Sequence, residues 1–434
     1  MKDLLAKWNI DSLLTDSGVT FGLRTLAAFV AYFTFVLLAR LLPPSDLGQF
    51  VFAQSFLWIL IDLATLGLGF AATRFIPKAQ VRGNLAEVTG YIRFTQRTVL
   101  ITATVTAAAL ALLLSVLHAP SLQLRQSLIL ILCCGLPFGA LTVANTYLCR
   151  SFNWFVLASS VGVTLRPIVF VGILLCFYSF SEVGYGPRLV AWSLVASLAF
   201  VAIVQTLLVK QKLLPLALPR VAVEKPRLWL STAITLLLAT VFTNYYLDIH
   251  VVLSGLFLPA DELAIFNAAL RTLAIVGFGS AAIGIAVAPR ISALHAQRDV
   301  VGLNRLARRS IGITLVASTF GIALLAAFGR PILTLFGDVY VAGYPALLIA
   351  AIAQLVAATS TVLIPLVAMT GHHASLVRGL LVLLPLIILA HALLIGPLGM
   401  IGASWAFVVS AVLWALWIFW LVRRLVGLRL LSSM

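Results

Sequence analysis

Residues 40–50 read RLLPPSDLGQF, and residues 256–266 read LFLPADELAIF. Each stretch sits between two apolar runs of about twenty residues, the length of one helical bilayer crossing. Proline fits the first turn of a helix, and an acidic residue there meets the positive end of the helix dipole. Each stretch therefore predicts the tip of a helical hairpin. Superposed without a gap at an offset of 216 residues, Leu42-Pro43 falls on Leu258-Pro259, Asp46 on Glu262, Leu47 on Leu263 and Phe50 on Phe266. Ala53 then falls on Ala269 and Arg74 on Arg290. A matching turn arises easily by chance, but a register kept along a whole span to its basic end points to duplication. Gly186-Pro187 with Trp192 and Gly396-Pro397 with Trp405 form a looser second echo.

The surrounding sequence fixes the solvent. The chain has 434 residues, of which 62% are hydrophobic and 10% charged, whereas soluble domains carry about 25% charged residues. Hydrophobic runs long enough to span a bilayer recur from end to end, and no polar stretch is long enough for a separate soluble domain. Twelve spans are expected, at 18–40, 48–71, 95–117, 126–148, 155–179, 188–209, 228–256, 263–288, 310–328, 345–369, 379–396 and 400–422. Their length and lack of strict alternation predict helices rather than barrel strands. The offset covers six spans, an even number, so both halves enter the membrane in the same sense. The expected fold is an all-α polytopic membrane protein of two six-helix lobes, parallel repeats about a pseudo-two-fold along the membrane normal, a transporter architecture.

The net charge of +16 would suggest nucleic acid in a soluble protein. Here most Lys and Arg fall in alternate loops, such as Arg74, Lys78, Arg82, Arg93 and Arg97 between spans two and three. That is the asymmetry that sets membrane orientation, and it places both termini in the cytoplasm. Arg150 counts among these loop charges. The first hydrophobic run is expected to be a retained transmembrane helix and not a cleavable signal. The expected division is a cytoplasmic interfacial segment at 1–16, an N-terminal lobe at 17–212, a linker at 213–227, a C-terminal lobe at 228–422 and a basic tail at 423–434. Both end segments are expected to lie on the anionic inner leaflet. Cys133, Cys134, Cys149 and Cys176 lie in or beside apolar spans and are expected to be buried free thiols.

The first two spans carry a family resemblance. A start containing Gly18 and Gly22 leads to LARLLPPSDLGQF and then DLATLGLGFAATRFIPK at 62–78, with YLCRSFNWF at 147–155 and GMIGASWAF at 399–407. In these motifs and in its twelve-span pattern the chain resembles the Wzx-type polysaccharide (O-antigen and exopolysaccharide, lipopolysaccharide-related) flippases of the multidrug/oligosaccharidyl-lipid/polysaccharide (MOP) exporter superfamily. The resemblance implies a two-lobed, MATE-like fold in the cell's inner membrane. It also implies a lipid-linked oligosaccharide flippase that moves undecaprenyl-pyrophosphate-linked sugar units from the inner to the outer leaflet by alternating access. Its partners would be the lipid-linked glycan, membrane lipids, other polysaccharide-assembly proteins, and H+ or Na+ as coupling ion. No cofactor, metal or nucleic acid is implied.

Charged groups inside spans are costly, at about 2.5–3.5 kcal/mol each on the insertion scale, and mark functional or tightly paired sites. Five are clear: Arg24, Asp62, Arg166, Asp248 and Arg271, joined by His250 and His391. Counted from the hairpin tips, Arg24 and Asp62 lie at similar depth, as do Asp248 and Arg271. Thr240, Asn244 and Asp248 are spaced as a polar stripe on span seven, and Asn267 with Arg271 on span eight. Two readings stay open. The Arg–Asp pairs tie neighbouring helices, or the arginines Arg24, Arg166 and Arg271 attract a pyrophosphate, which the planar guanidinium fork suits. Arg166, just before Pro167 and without an obvious sequence partner, favours the ligand. Asp62, Asp248 and His250 are candidates for ion or proton coupling, and Thr240, Asn244 and Asn267 for the cleft lining. Pro137, Pro167, Pro365 and Pro385 are hinge candidates, and Gly67, Gly69, Gly277, Gly279 and Gly284 mark either further bends or close helix packing.

Among rival functions, a multidrug or organic-ion exporter of the same superfamily would want acidic residues in its cleft, whereas the in-span charges are three Arg against two Asp. A porter of the other large class of six-plus-six transporters would carry a Gly/Asp/Arg-rich motif after span two, which RFIPKAQVRGN at 74–84 does not match. No Walker motif, metal-ligand spacing or nucleophile constellation suggests an enzyme. His372-His373 reads as a solvated turn.

Overall fold

The computed structural model describes residues 10–116, 123–180, 186–216, 218–219, 221–297, 299–369 and 373–426. The expected interfacial segment and basic tail fall largely outside these residues, as does the His372-His373 turn. The described residues form helices: α1 Ile10–Leu41, α2 Pro44–Ala64, α3 Leu68–Val81, α4 Leu85–Val116, α5 Gln123–Cys133, α6 Leu136–Ser151 and α7 Phe155–Ser159. A π turn at Ser160–Leu165 leads into α8 Arg166–Phe180, followed by α9 Pro187–Leu213 and α10 Pro226–Asn244. The remainder are α11 Tyr246–Gly255, α12 Ala260–Ala296, α13 Val300–Thr334, α14 Tyr344–Met369 and α15 His373–Leu421.

Every expected span lies on helix. Among the described residues eight helical stretches are long and apolar enough to cross a membrane, or nine when α5 and α6, bent by 48° at Cys134–Gly135, count as one. The last two expected spans form the single stretch α15, interrupted at Gly399, whose φ of 53° and ψ of −133° no helix adopts. Glycine is the residue that reaches this conformation without a Cβ clash. Glu262 accepts a hydrogen bond from the Met400 N–H at 3.1 Å, so a backbone donor exposed by the break is satisfied.

The two hairpin tips repeat in atomic detail. Leu42 N–H donates to Leu38 O at 2.9 Å, and Leu258 N–H donates to Ser254 O at 2.8 Å. Leu47 N–H donates to Pro43 O and Leu263 N–H to Pro259 O, both at 3.0 Å. Each donor and acceptor is shifted by the same offset. The matched pairs Leu47 and Leu263, Phe50 and Phe266, and Ala53 and Ala269 are all buried. Register in sequence is thus register in hydrogen bonding and packing.

By internal contact the chain divides into two compact units, residues 1–42 with 53–245, and residues 43–52 with 246–434. These are cut differently from the expected lobes, because α10 packs within the first unit. Its Trp229 is fully buried, with ring centres 4.9 Å from Tyr91 and 5.4 Å from Phe94 on α4. Before it, Val223 N–H donates to Ala86 O at 3.1 Å and Lys225 pairs with Glu87 at 2.9 Å. In the second unit, the tip at Gly48 meets the backbone of Ala260.

Many large apolar side chains face outward, such as Phe29 at 57%, Phe33 at 58% and Phe320 at 65% exposure. In water such surface would aggregate; in lipid it is the expected exterior. All four cysteines are free. Cys133 and Cys149 are buried, but Cys134 and Cys176 are exposed, against expectation. Helix period explains this: a lipid-facing position is as apolar as a core position, so hydropathy does not separate them.

Candidate functional site: an arginine-lined cavity

The first unit encloses a cavity of ≈ 230 Å³ whose wall includes Arg24 of α1, Trp58 and Asp62 of α2, Arg150 of α6, Arg166 of α8 and Asn244 of α10. The α6 wall is a regular helical face: Gly139, Thr142, Val143, Thr146 and Arg150 recur at spacings of three and four. The two threonines there turn their hydroxyls onto their own helix, Thr142 to Phe138 O at 2.9 Å and Thr146 to Thr142 O at 2.8 Å. Gln205 of α9 donates to the Thr146 hydroxyl at 2.9 Å and fixes the wall from behind.

The facing wall owes its shape to Pro167. Proline has no N–H, and its ring clashes with the carbonyl four residues earlier, so the regular ladder cannot run through it. The helix widens into the π turn Ser160–Leu165 immediately before, a form found often at functional sites. Gly162 in this turn lies against the Thr146 hydroxyl and the Gln205 amide, where a Cβ has no room. The turn delivers Arg166 to the cavity with its guanidinium carbon 4.2 Å from the centre of the Trp58 ring. Arg150 is held similarly, 4.9 Å from the Tyr147 ring centre. Stacking uses the face of a guanidinium, whereas hydrogen bonds to an anion run from its edge.

Arg24 and Asp62, expected at one depth, do line one cavity, yet no ion pair joins them. Asp62 is 3% exposed, its Oδ2 makes no hydrogen bond, and its carboxylate is bonded by the Asn244 amide. Asn244 Nδ2 also lies 3.5 Å from the Tyr147 hydroxyl. Arg24 instead feels the charge of Arg150. Three arginines against one aspartate leave the lining at +2. Like cations held together within an apolar surround are stabilised by an anion between them.

Of the remaining expected residues, Asp248, His250, Asn267 and Arg271 fall in the second unit. Asp248 and Arg271 are brought together and interact electrostatically, as their matched depth predicts. Arg271 does not line the first unit's cavity. Asn267 is buried on α12, and its Nδ2 has no partner. The side chain of Thr240 lies outside the described residues. The stripe through Asn244 and Asp248 is not continuous, because the helix breaks at Tyr245, whose φ of −120° and ψ of 28° are not helical. Asn244 ends up in the cavity and Asp248 beside Arg271. His250 meets His391 at 3.1 Å.

Of the hinge candidates, Pro137 opens α6 after the 48° bend and Pro167 follows the π turn, while Pro365 and Pro385 sit inside α14 and α15. Gly67, at φ 73°, begins α3 after the break that follows α2. Sequence reasoning missed Arg150, placing it among the loop charges. The signal was present: Arg150 continues the Gly139–Thr142–Val143–Thr146 face by one turn. It missed Trp58 too, because a stacking partner on another helix leaves no mark in spacing.

A family model described as polysaccharide biosynthesis protein matches residues 13–295, and a second, MatE, matches residues 233–390. No curated protein matches the chain. Among solved structures, it is similar to an inward-facing multidrug resistance MATE family transporter of the MOP superfamily. That match has a TM-score of 0.73 at 14% identity and covers 95% of this chain and 96% of the other. The lipid II flippase MurJ in an inward closed conformation matches at a TM-score of 0.69 and 14% identity, over 94% of this chain and 87% of that one. A MOP superfamily transporter from Pyrococcus furiosus, described as having reversed binding-pocket polarity, matches at 0.62 and 14%, over 93% and 92%. The fold is therefore that of the MATE and MurJ transporters, an all-helical multi-pass membrane protein. With the family model spanning well over half of its length, the chain belongs to the polysaccharide biosynthesis protein family.

Proposed function

We propose that the chain flips a lipid-linked oligosaccharide, carried on undecaprenyl pyrophosphate, from the inner to the outer leaflet of the cytoplasmic membrane. The observation that carries this reading is the surplus of arginine in one cavity. Arg24, Arg150 and Arg166 converge there against the single carboxylate of Asp62. A pyrophosphate offers several anionic oxygens to such a set, and each guanidinium fork can take two of them. The sugar needs only scattered polar and aromatic contacts, which Thr142, Tyr147 and Asn244 offer in the same cavity. Alternating access moves the headgroup, and the lipid tail stays in the bilayer. Arg271, which interacts with Asp248 in the second unit, is a further candidate for holding an anion. Both termini lie in the cytoplasm, as the loop charges require.

A second reading, export of an organic ion, has one feature in its favour: Asp62 beside the Trp58 and Tyr147 rings would also suit a cation. Ligand-induced thermal stabilisation of the purified protein separates the two. Undecaprenyl pyrophosphate, and not a panel of organic cations, raises the melting temperature, and Arg150→Ala abolishes the rise. Stabilisation by the cations alone would replace the flippase with the exporter.

A further inference from the structure

The second unit holds a polar chain that the anion cavity does not use. On α15, His391 Nδ1 lies 2.8 Å from the Ile387 carbonyl. Its Nε2 lies 3.1 Å from His250 Nδ1 on α11, and His250 Nε2 lies 3.1 Å from the Ser410 hydroxyl, again on α15. The Ser410 hydroxyl lies 3.2 Å from that of Tyr246, which begins α11. Both histidines and Ser410 are buried, with 1% exposure or less. Phe407 closes the His250 ring from the side, edge to face at 4.7 Å between ring centres.

The order of protons along this chain follows from one fact: a carbonyl only accepts. His391 must therefore carry its proton on Nδ1, and when neutral it accepts at Nε2. His250 then donates from Nδ1 and accepts at Nε2, so Ser410 donates to it and accepts from Tyr246. Every bond is made, and each member has a single assignment. One added proton also fits. With His250 carrying N–H on both nitrogens, the Ser410 hydroxyl turns to accept from it and to donate to Tyr246. The shared proton can equally sit on His391 Nε2, with His250 accepting at Nδ1 and still donating to Ser410. A second added proton does not fit, because it sets two N–H groups facing each other between the rings.

We propose that His250 and His391 form one proton-binding site in the second unit, with a capacity of a single proton. Tyr246 and Ser410 are the groups that reorient as it fills. The titratable and charged groups on the packed elements, among the described residues, are Asp248 on α11, Asp261, Glu262, Arg271 and Arg290 on α12, Tyr344 on α14, Arg378 on α15, and Arg423 and Arg424 on the π turn Val422–Val426 that follows it. Of these, Asp248 is engaged with Arg271 and Glu262 with the Met400 amide. A proton on the pair thus adds one positive charge to the hydrogen-bonded contact between α11 and α15. The inference adds a proton to the proposed flippase cycle and rests on that reading only for its part in coupling; the existence of the site is independent of the substrate.

The test is nitrogen NMR of the full chain, labelled in histidine and reconstituted in liposomes, from about pH 8 to about pH 5. His250→Gln and His391→Gln assign the two residues among the six histidines. In the wild type both are expected neutral and Nδ1-protonated at the upper limit, then to shift together as one proton enters. Two independent full protonations, or a pair unchanged across the range, would overturn the site. If either variant fails to fold, the other assigns its own residue, and through-space contact across the 3.1 Å bond identifies the partner ring. In a parallel arm, the pH profile of leaflet exchange loses a one-proton step in the variants that fold. A step that survives there would detach the site from coupling without touching the anion reading.

Discussion

Replacing Arg166 by lysine keeps the cavity's charge and removes its geometry. The guanidinium carbon lies over the Trp58 ring, 4.2 Å from its centre, and this contact limits the orientations of the fork. A phosphate bound by that fork takes two parallel hydrogen bonds, and lysine offers a single compact donor group in their place. A hydrogen bond to a charged group contributes about 1.5–3 kcal/mol. The lysine variant is therefore expected to bind undecaprenyl pyrophosphate about 2 kcal/mol more weakly, roughly 30-fold in Kd. Arg166→Ala loses charge and both bonds, and falls by at least ~100-fold. Trp58→Leu removes only the platform. Its effect is bounded by the rotamer entropy of a freed arginine, about 2 kcal/mol at most. Calorimetric titration in detergent reads all three. Arg330 provides the control, since its guanidinium carbon lies 5.0 Å from the Tyr344 ring centre in the second unit and it is not part of the cavity lining. If Arg166→Lys binds like the wild type, or loses no more than Arg330→Lys, Arg166 does not hold the anion.

Asp62→Asn should act in the opposite direction. It keeps a polar group beside Asn244 but removes the negative charge among the arginines, and pyrophosphate affinity should rise severalfold, on the order of 1 kcal/mol; weaker binding would mean that Asp62 organises the site instead. Gly162→Ala forces a methyl group against Thr146 and Gln205 and should destabilise the protein by about 1–3 kcal/mol in a detergent melt. An unchanged melting temperature would show that the π turn has room to spare. Glu262→Ala strips the Met400 N–H of its acceptor and should cost about 1–2 kcal/mol by the same measurement; a neutral result would show that water or lipid headgroups satisfy that amide equally well.

Hydropathy alone located the helices, because a lipid-exposed backbone must satisfy its hydrogen bonds within each helix. The hairpin repeat was legible for a related reason. Leu47 and Leu263, or Phe50 and Phe266, are fully buried at equivalent turns, so both copies kept them. Depth counting brought Arg24 to Asp62 and Asp248 to Arg271, since rise per residue is fixed in a helix. It failed to distinguish a shared cavity from an ion pair. The first two line one wall without bonding, because Asp62 is taken by Asn244 and Arg24 faces Arg150. The span-seven stripe failed where helical phase is lost at Tyr245, a residue with no propensity signal of its own. Exposed and buried cysteines were confused because lipid and protein core are equally apolar. Arg150 was lost to a counting rule that treats every arginine near a helix end as an orienting charge. In this chain a helix end also faces the cavity.

The central claim is that a cationic cavity carries a lipid-linked pyrophosphate across the bilayer. Leaflet exchange of a fluorescent undecaprenyl-pyrophosphate sugar in proteoliposomes, comparing the wild type with Arg24→Ala, Arg150→Ala and Arg166→Ala, tests it most directly. The wild type should exchange the lipid, and each variant should lose most of that rate while remaining folded in the membrane. Undiminished exchange in all three, or none in the wild type, would contradict the account.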